Sequence, residues 1–311
     1  MATGRGYGKT ILFGEHFVVF GLPAIASALD SVTIADIKVS EGSGWVVDDQ
    51  RPATPGYKKK KYKEAMQSIQ NVLDYLKIST ENQKLEISFS GDLIAASGVG
   101  ASAAQCTSLS RALNETFNLN LNDEKINEAA YEGEKAYHGT PSGIDNTAST
   151  YGGLIWFVKN LDGGKNTMDL LESPKKIPLV IANSGITAST TKVVADVRRL
   201  KEESPEKFEN IFDDYKKIAE NAKQALLKGD INIIGALMNE NHTLLQKITV
   251  SGEINDKLVT LALNNGAIGA KMTGTGRGGL VIALTKDVRA QEKIAKAVEK
   301  EGYDAWKTMI G

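Results

Sequence analysis

The sequence predicts an α+β protein built from two domains. Three observations carry that expectation. The opening forty residues hold short apolar, β-branched runs broken by glycine. The middle is dominated by helical spacing, and the chain ends in a strand–strand–helix–strand pattern. With 311 residues, the chain is also long enough for two cores.

Thr10–Phe13 and Phe17–Phe20 read as short strands around a Gly14-Glu15-His16 turn or bulge. Residues 24–40 read as two more strands, and residues 41–56 as a loop punctuated by Gly42, Gly44, Pro52, Pro55 and Gly56. Met66, Ile69, Val72, Leu73 and Leu76 form one apolar stripe, which predicts a helix from about 61 to 76. A strand follows at Lys84–Phe89. A glycine-bearing loop at 97–100 then leads into helices at 101–118 and 123–137, and a strand follows at 153–158. Beyond a boundary placed near 170–178, a strand at 176–182 precedes helices at 189–201, 205–228, 231–246 and 253–264. Strands at 267–273 and 280–285, a helix at 288–301 and a strand at 303–309 complete the chain. The expected domains are 1–175 and 176–311.

Composition excludes several classes of function. Lys plus Arg is 37 against 38 for Asp plus Glu, a net charge of -1 without the basic excess of a nucleic-acid binder. No apolar run approaches the roughly 20 residues that cross a bilayer. The polar, glycine-rich start is unlike a secretory leader, and a cytoplasmic location is expected. Cys106, the single cysteine, can form neither an internal disulfide nor a thiolate zinc site and reads as a buried helix residue. The run Lys58–Lys61 reads as a solvated face, with a grip on nucleotide phosphates as its alternative.

Four segments carry chemistry. The first is Gly8-Lys9 with Gly14-Glu15-His16, where Lys9 is either a strand-edge lysine or a cation that steadies developing charge. The second is Ser97-Gly98-Val99-Gly100-Ala101-Ser102-Ala103-Ala104. Its glycines admit a phosphate close to the backbone, and the helix behind them offers unpaired N–H groups. It also fits G-x-G-x-x-A, yet a helix follows where a dinucleotide site needs a second parallel strand, so a dehydrogenase is set aside. The third is His138–Asn146. Its Asp145 reads equally as the cap of a helix over 146–151 or as a carboxylate that orients or deprotonates a hydroxyl. The fourth is Lys271–Gly279, a flexible turn or a brace for phosphate that contains Gly274, Thr275 and Gly276. Ser102 and Glu134 are candidates for the hard oxygen donors that Mg²⁺ prefers, Glu134 reading equally as a solvated helix-face residue, and His242 reads as a core or surface histidine.

In this order the four segments resemble the GHMP kinase superfamily, and most closely those of its members that act on mevalonate. Gly8–His16, Gly98–Ala104 and Lys271–Gly279 look like its three motifs. Glu132-Gly133-Glu134 with His138–Asn146 is similar to the stretch that marks the mevalonate branch. The resemblance implies an N-terminal domain with a ribosomal-protein-like α/β fold, a C-terminal ferredoxin-like sandwich, and a cleft between them. It implies transfer of the ATP γ-phosphoryl group to the 5-hydroxyl of mevalonate in isoprenoid biosynthesis, with Mg²⁺. Asp145 and Lys9 are then catalytic. Ser97, Gly98, Val99, Gly100, Ala101, Ser102 and Ala103 bind ATP. Ser102 and Glu134 hold Mg²⁺, and Glu15, His16 and Thr191 meet the acceptor. A homodimer is compatible with the resemblance. Phosphomevalonate, galactose, homoserine or mevalonate 3-hydroxyl kinases are the alternatives, as is an inactive nucleotide-binding regulator. Two positions depart from the pattern. Ala101 stands where a serine is common, and Arg277 stands where glycine is usual, as a cation for phosphate or for acidic protein.

Overall fold

A computed structural model describes residues 2–95 and 98–311, so Ser97 of the second motif lies outside the described residues. The chain divides into two compact units. One comprises residues up to Lys9 with Ala28–Gly152, and the other comprises Thr10–Ser27 with Gly153–Gly311. Strands β1 (Ala2–Phe13) and β2 (Ala24–Ser40) pair with each other, and each contributes residues to both units.

The polar, glycine-rich start is a strand, to which the sequence reading assigned no secondary structure before Thr10. Gly4, Gly6 and Gly8 recur at the strand period of two, and the first two lie directly under helix α3 (Ala101–Thr116). A Cβ at Gly4 would sit 2.1 Å from the Ser108 carbonyl oxygen, and one at Gly6 would sit 2.2 Å from that of Ala104. Glycine there lets strand and helix backbones touch, and this draws the end of β1 to the start of α3.

In the first unit, β2 pairs antiparallel with β4 (Lys84–Gly91) from Thr33 to Ser40, and β3 (Trp45–Asp49) runs parallel to β4. The expected loop at 41–56 therefore contains a strand. Its half-exposed alternation close behind two glycines hid it. A short turn α1 (Tyr57–Lys60) precedes α2 (Tyr62–Tyr75), and α4 (Asp123–His138) packs beside α3. Ile37, Ile69, Val72, Leu85, Ile87, Phe89, Leu109 and Leu113 form the core between sheet and helices. Gly133 allows α4 to approach closely, because a Cβ there would lie 2.7 Å from the Cys106 sulfur. Helix α5 (Ile144–Tyr151) closes this unit.

In the second unit, β5 (Leu154–Val158) pairs with Ala24–Ser27 and with the mostly exposed β6 (Thr167–Leu171), a strand too short, and too lacking in β-branched residues, to stand out in the sequence. Strand β7 (Ile177–Asn183) is followed by α6 (Thr190–Glu203), α7 (Pro205–Lys228), α8 (Ile231–Lys247) and α9 (Glu253–Asn264). Pro205 opens α7 and left-handed Gly229 ends it, the positions each residue favours. Strands β8 (Gly269–Thr273) and β9 (Leu280–Leu284), helix α10 (Val288–Lys300) and strand β10 (Asp304–Ile310) complete the expected ending. The four strands form an antiparallel sheet in the order β10-β7-β9-β8. Phe17–Phe20 is a 3₁₀ turn instead of the expected strand. Left-handed Gly21 stops it, and Phe17 stacks on Tyr215 with ring centroids 3.9 Å apart. Residues 24–40 are one strand, not two.

Candidate active site

In the first unit the end of β1, the glycine loop and three helix ends converge on Lys9. Lys9 is only 5% exposed. Its backbone N–H donates to the Val99 carbonyl at 2.8 Å, which ties the second motif to the first. Its Nζ lies 3.1 Å from Asp145 Oδ1. Asp145 is not a helix cap, since Gly143 occupies that position with φ 91° and Asp145 falls in the first turn of α5. Two bonds hold the helix there. Ser149 Oγ donates to the Tyr7 carbonyl at 2.7 Å, and Asn146 Nδ2 donates to Asn127 Oδ1 on α4 at 2.6 Å.

Gly98 and Gly100 take left-handed φ values of 81° and 75°, and Gly100 caps α3. A Cβ at Gly100 would meet Lys9 Cγ at 2.8 Å, so the loop and the lysine stem are packed together. Ala101 and Ala103 are buried at the start of the helix. Arg51, which the sequence reading did not single out, braces this start from below. It grips Asp49 through two nitrogens at 2.9 and 2.8 Å, donates to Gln105 at 2.6 Å and reaches the Ala101 carbonyl at 3.2 Å. Lys58 of the lysine run donates to the Asp49 carbonyl, Lys61 pairs with Glu64, and Lys59 and Lys60 are exposed.

Glu134 is 1% exposed and is not a solvated helix residue. Its Oε1 has no hydrogen-bond partner among the described residues, and His138 Nε2 lies 3.7 Å from its Oε2. Burial, then the negative charge of Asp145, pushes its carboxyl up to about 8, partly offset by the Ser102 hydroxyl and by Lys9. A buried carboxylate with an unpartnered oxygen beside a serine hydroxyl fits a hard divalent cation. Among the described residues no cluster of three His, Cys, Asp or Glu side chains could hold a metal without help from a ligand. Cys106 is buried and free, and burial raises its thiol far above the reactive range.

In the second unit, segment 11–16 is bound to β8 and the third motif. Thr273 Oγ1 donates to the Ile11 carbonyl at 2.9 Å, and His16 Nε2 lies 2.7 Å from the Thr275 carbonyl. Glu15, expected at the acceptor, is instead fully enclosed and paired with Lys271, which also donates to the Met272 carbonyl at 2.9 Å. An apolar strand carrying one lysine was the sequence signal for this pair, and its partner was not readable. Burial lowers the His16 pKa to about 4, so the ring is neutral, Nε2 carries the proton for Thr275, and Nδ1 is unpartnered. His242 is a core residue whose Nε2 meets Asp256 at 3.1 Å. Thr191 is exposed in the first turn of α6, where neighbouring Thr190 touches Thr275 Oγ1 at 2.6 Å. Gly274 and Gly276 take left-handed φ values in the turn after β8.

A glycine loop at a helix start, with a lysine, an aspartate and a buried glutamate around it, defines a small-molecule kinase. The family models described as "GHMP kinases N terminal domain" and "GHMP kinases C terminal" match residues 63–153 and 222–304. The chain belongs to the GHMP kinase family. Among curated relatives, the mevalonate kinase of Thermococcus sibiricus is 32% identical, over 94% of this chain and 91% of its own. The crystal structure of L. major mevalonate kinase in complex with R-mevalonate is 42% identical and has a TM-score of 0.95, covering 100% of this chain and 96% of that one. The mevalonate kinase of Methanococcus jannaschii is 25% identical with a TM-score of 0.82, over 99% and 98% of the two chains.

Proposed function

We propose that this chain is a mevalonate kinase, transferring the γ-phosphoryl group of ATP to the 5-hydroxyl of mevalonate. The observation that carries the reading is the 3.1 Å pairing of Lys9 with Asp145 at the foot of the glycine loop. Phosphoryl transfer asks a protein mainly for positioning and charge stabilisation, and this pair is built for both. Asp145 orients or accepts the proton of the attacking hydroxyl. Lys9 pairs with Asp145 and holds it in place, and its ammonium faces the negative charge that develops on the transferred group.

The Gly98–Ala103 backbone receives the phosphates, with Ser97 assigned to the same loop. Ser102 and Glu134 would hold Mg²⁺, which supplies charge neutralisation on the phosphate oxygens. The orphaned Glu134 oxygen supports that assignment. His16 and Thr191 are assigned to mevalonate, and Glu15 serves by fixing the backbone that carries His16. Gly274, Thr275 and Gly276 form the third motif, and Thr275 holds the His16 tautomer. Mevalonate is favoured as acceptor because the 42%-identical relative is in complex with R-mevalonate. Two domains along the sequence, 1–175 and 176–311, are proposed, whereas in the fold residues 10–27 and 153–175 pack within the second unit. No helix among the described residues is long and apolar enough to cross a membrane, and a cytoplasmic location is proposed.

An ADP-release assay over a panel of acceptors tests the reading. Turnover of mevalonate, with phosphomevalonate, galactose and homoserine inert, is expected. Asp145→Ala should lower kcat by about 10²–10⁴-fold and still bind nucleotide. Galactose or homoserine as the sole acceptor would overturn the substrate assignment.

A further inference from the structure

The third motif contains one residue whose backbone is made for glycine. Arg277 has φ 51°, between Gly276 at 80° and Gly278 at 120°. Glycine takes this left-handed conformation without strain and an L side chain does not, so an arginine here needs a use for its side chain. The guanidinium has one. Its Nη1 lies 2.5 Å from Asp196 Oδ2 on α6, its Nε donates to the Thr249 carbonyl at 3.1 Å, and its Nη2 reaches Thr249 Oγ1 at 3.4 Å. The backbone beneath it is rigid. Arg277 N–H donates to the Val250 carbonyl at 2.8 Å. The Gly278 N–H and carbonyl are both held at 2.8 Å by buried Asn255.

Helix α6 needs such an anchor. Of its fourteen residues only Val193 and Val197 are buried, and Gly185 to Ile186 ahead of it is exposed. Apolar burial of that size holds a helix loosely. Two polar tethers run from α6 to the third motif. Thr190 touches Thr275, and nearly two turns later Asp196 meets Arg277. The residue between them that matters for the reaction is Thr191. On the other side of the same turn, Thr275 also holds His16.

We propose that Arg277, through Asp196, is a positioning residue for the acceptor alcohol: it fixes the first turns of α6, and with them Thr191, against the turn that holds His16. The proposal rests on the reading of Thr191 and His16 as acceptor contacts. It explains why a cation replaces glycine in the third motif without assigning it to phosphate.

Steady-state kinetics on the full chain with Mg²⁺, ATP and mevalonate test it, together with amide hydrogen exchange of the nucleotide-free protein. Arg277→Gly should raise the mevalonate KM about tenfold and leave the ATP KM within about twofold. Asp196→Asn should do the same. The double variant should be no worse than either single one, because both remove one interaction. Arg277→Lys should recover part of the loss. Amides of residues 190–197 should exchange about tenfold faster in Arg277→Gly, with those of β8 unchanged. Equal rises in both KM values, multiplying effects in the double variant, or unaltered exchange in α6 would overturn the proposal. A wild-type chain that does not turn over mevalonate would overturn both the acceptor assignment and this role of Arg277. Wild-type turnover with an unmoved KM in Arg277→Gly overturns only the role of Arg277.

Discussion

Replacing Glu134 by glutamine should stabilise the metal-free protein at alkaline pH while disabling Mg²⁺-dependent turnover. Burial, then Asp145, raises this carboxyl from 4.5 to about 8 in the folded chain. Its ordinary value returns on unfolding, so a proton is released when the protein unfolds anywhere between those two values. Folding therefore loses stability as pH rises through that window and is unaffected below it. Linkage converts the shift into a penalty of about 1.4 kcal/mol at about pH 5.5 and about 4 kcal/mol at about pH 8, a difference of about 3 kcal/mol. Glutamine has no such proton. Urea unfolding in EDTA, followed by tryptophan fluorescence at both pH values, reads the effect. The wild type should lose about 3 kcal/mol relative to Glu134→Gln across the interval. Addition of Mg²⁺ and ADP should stabilise the wild type and leave the variant nearly unmoved. A difference under about 1 kcal/mol, or a variant that weakens more steeply with pH, would refute the picture of a buried carboxyl without a partner.

Two further outcomes follow from packing and burial. Gly100→Ala must house a Cβ 2.8 Å from Lys9 Cγ at φ 75°. A loss of about 1–2 kcal/mol in thermal or urea unfolding and about a tenfold fall in kcat are expected, and an unchanged kcat would show that the loop does not set the lysine. His16, lowered from 6.5 to about 4 by burial, destabilises the fold as pH falls through that window. At about pH 5 the wild type should lose about 2 kcal/mol relative to neutral pH, and His16→Gln should not. Superimposable pH profiles for the two proteins would count against a neutral, enclosed ring.

Local signals were legible and long-range partners were not. Pro205 and Gly229 mark both ends of α7, and the stripe from Met66 to Leu76 marks α2, because caps and periodicity are written into neighbouring residues. Phe17–Phe20 misled because four apolar residues suit a buried turn as well as a strand, and its stacking partner Tyr215 is remote. Gly4 and Gly6 gave no strand signal on their own, because the backbone they touch belongs to α3, about a hundred residues on. In the site, Lys9, Glu134 and Asp145 stood out by residue type and motif, and the structure brings them together within one unit. Arg51 did not stand out, and Lys271 did so only as the first residue of the fourth segment, not as an ion-pair partner. Each acts through a partner, Gln105 or Glu15, that lies 54 or 256 residues away.

The ties around segment 11–16 bear on how the chain is made. The bonds from Ile11, Glu15 and His16 to Thr273, Lys271 and Thr275 span 262, 256 and 259 residues. A nascent polypeptide leaving the ribosome therefore carries Phe17, fully covered in the finished protein, without its stacking partner until Tyr215 has emerged, and segment 11–16 without its polar partners until β8 has followed. Contacts so distant along the sequence form late, and exposed aromatic surface in the interval invites aggregation. Stalled or truncated products that stop short of β8 should consequently depend on chaperones, although the strand bearing Lys9 is among the first segments synthesised.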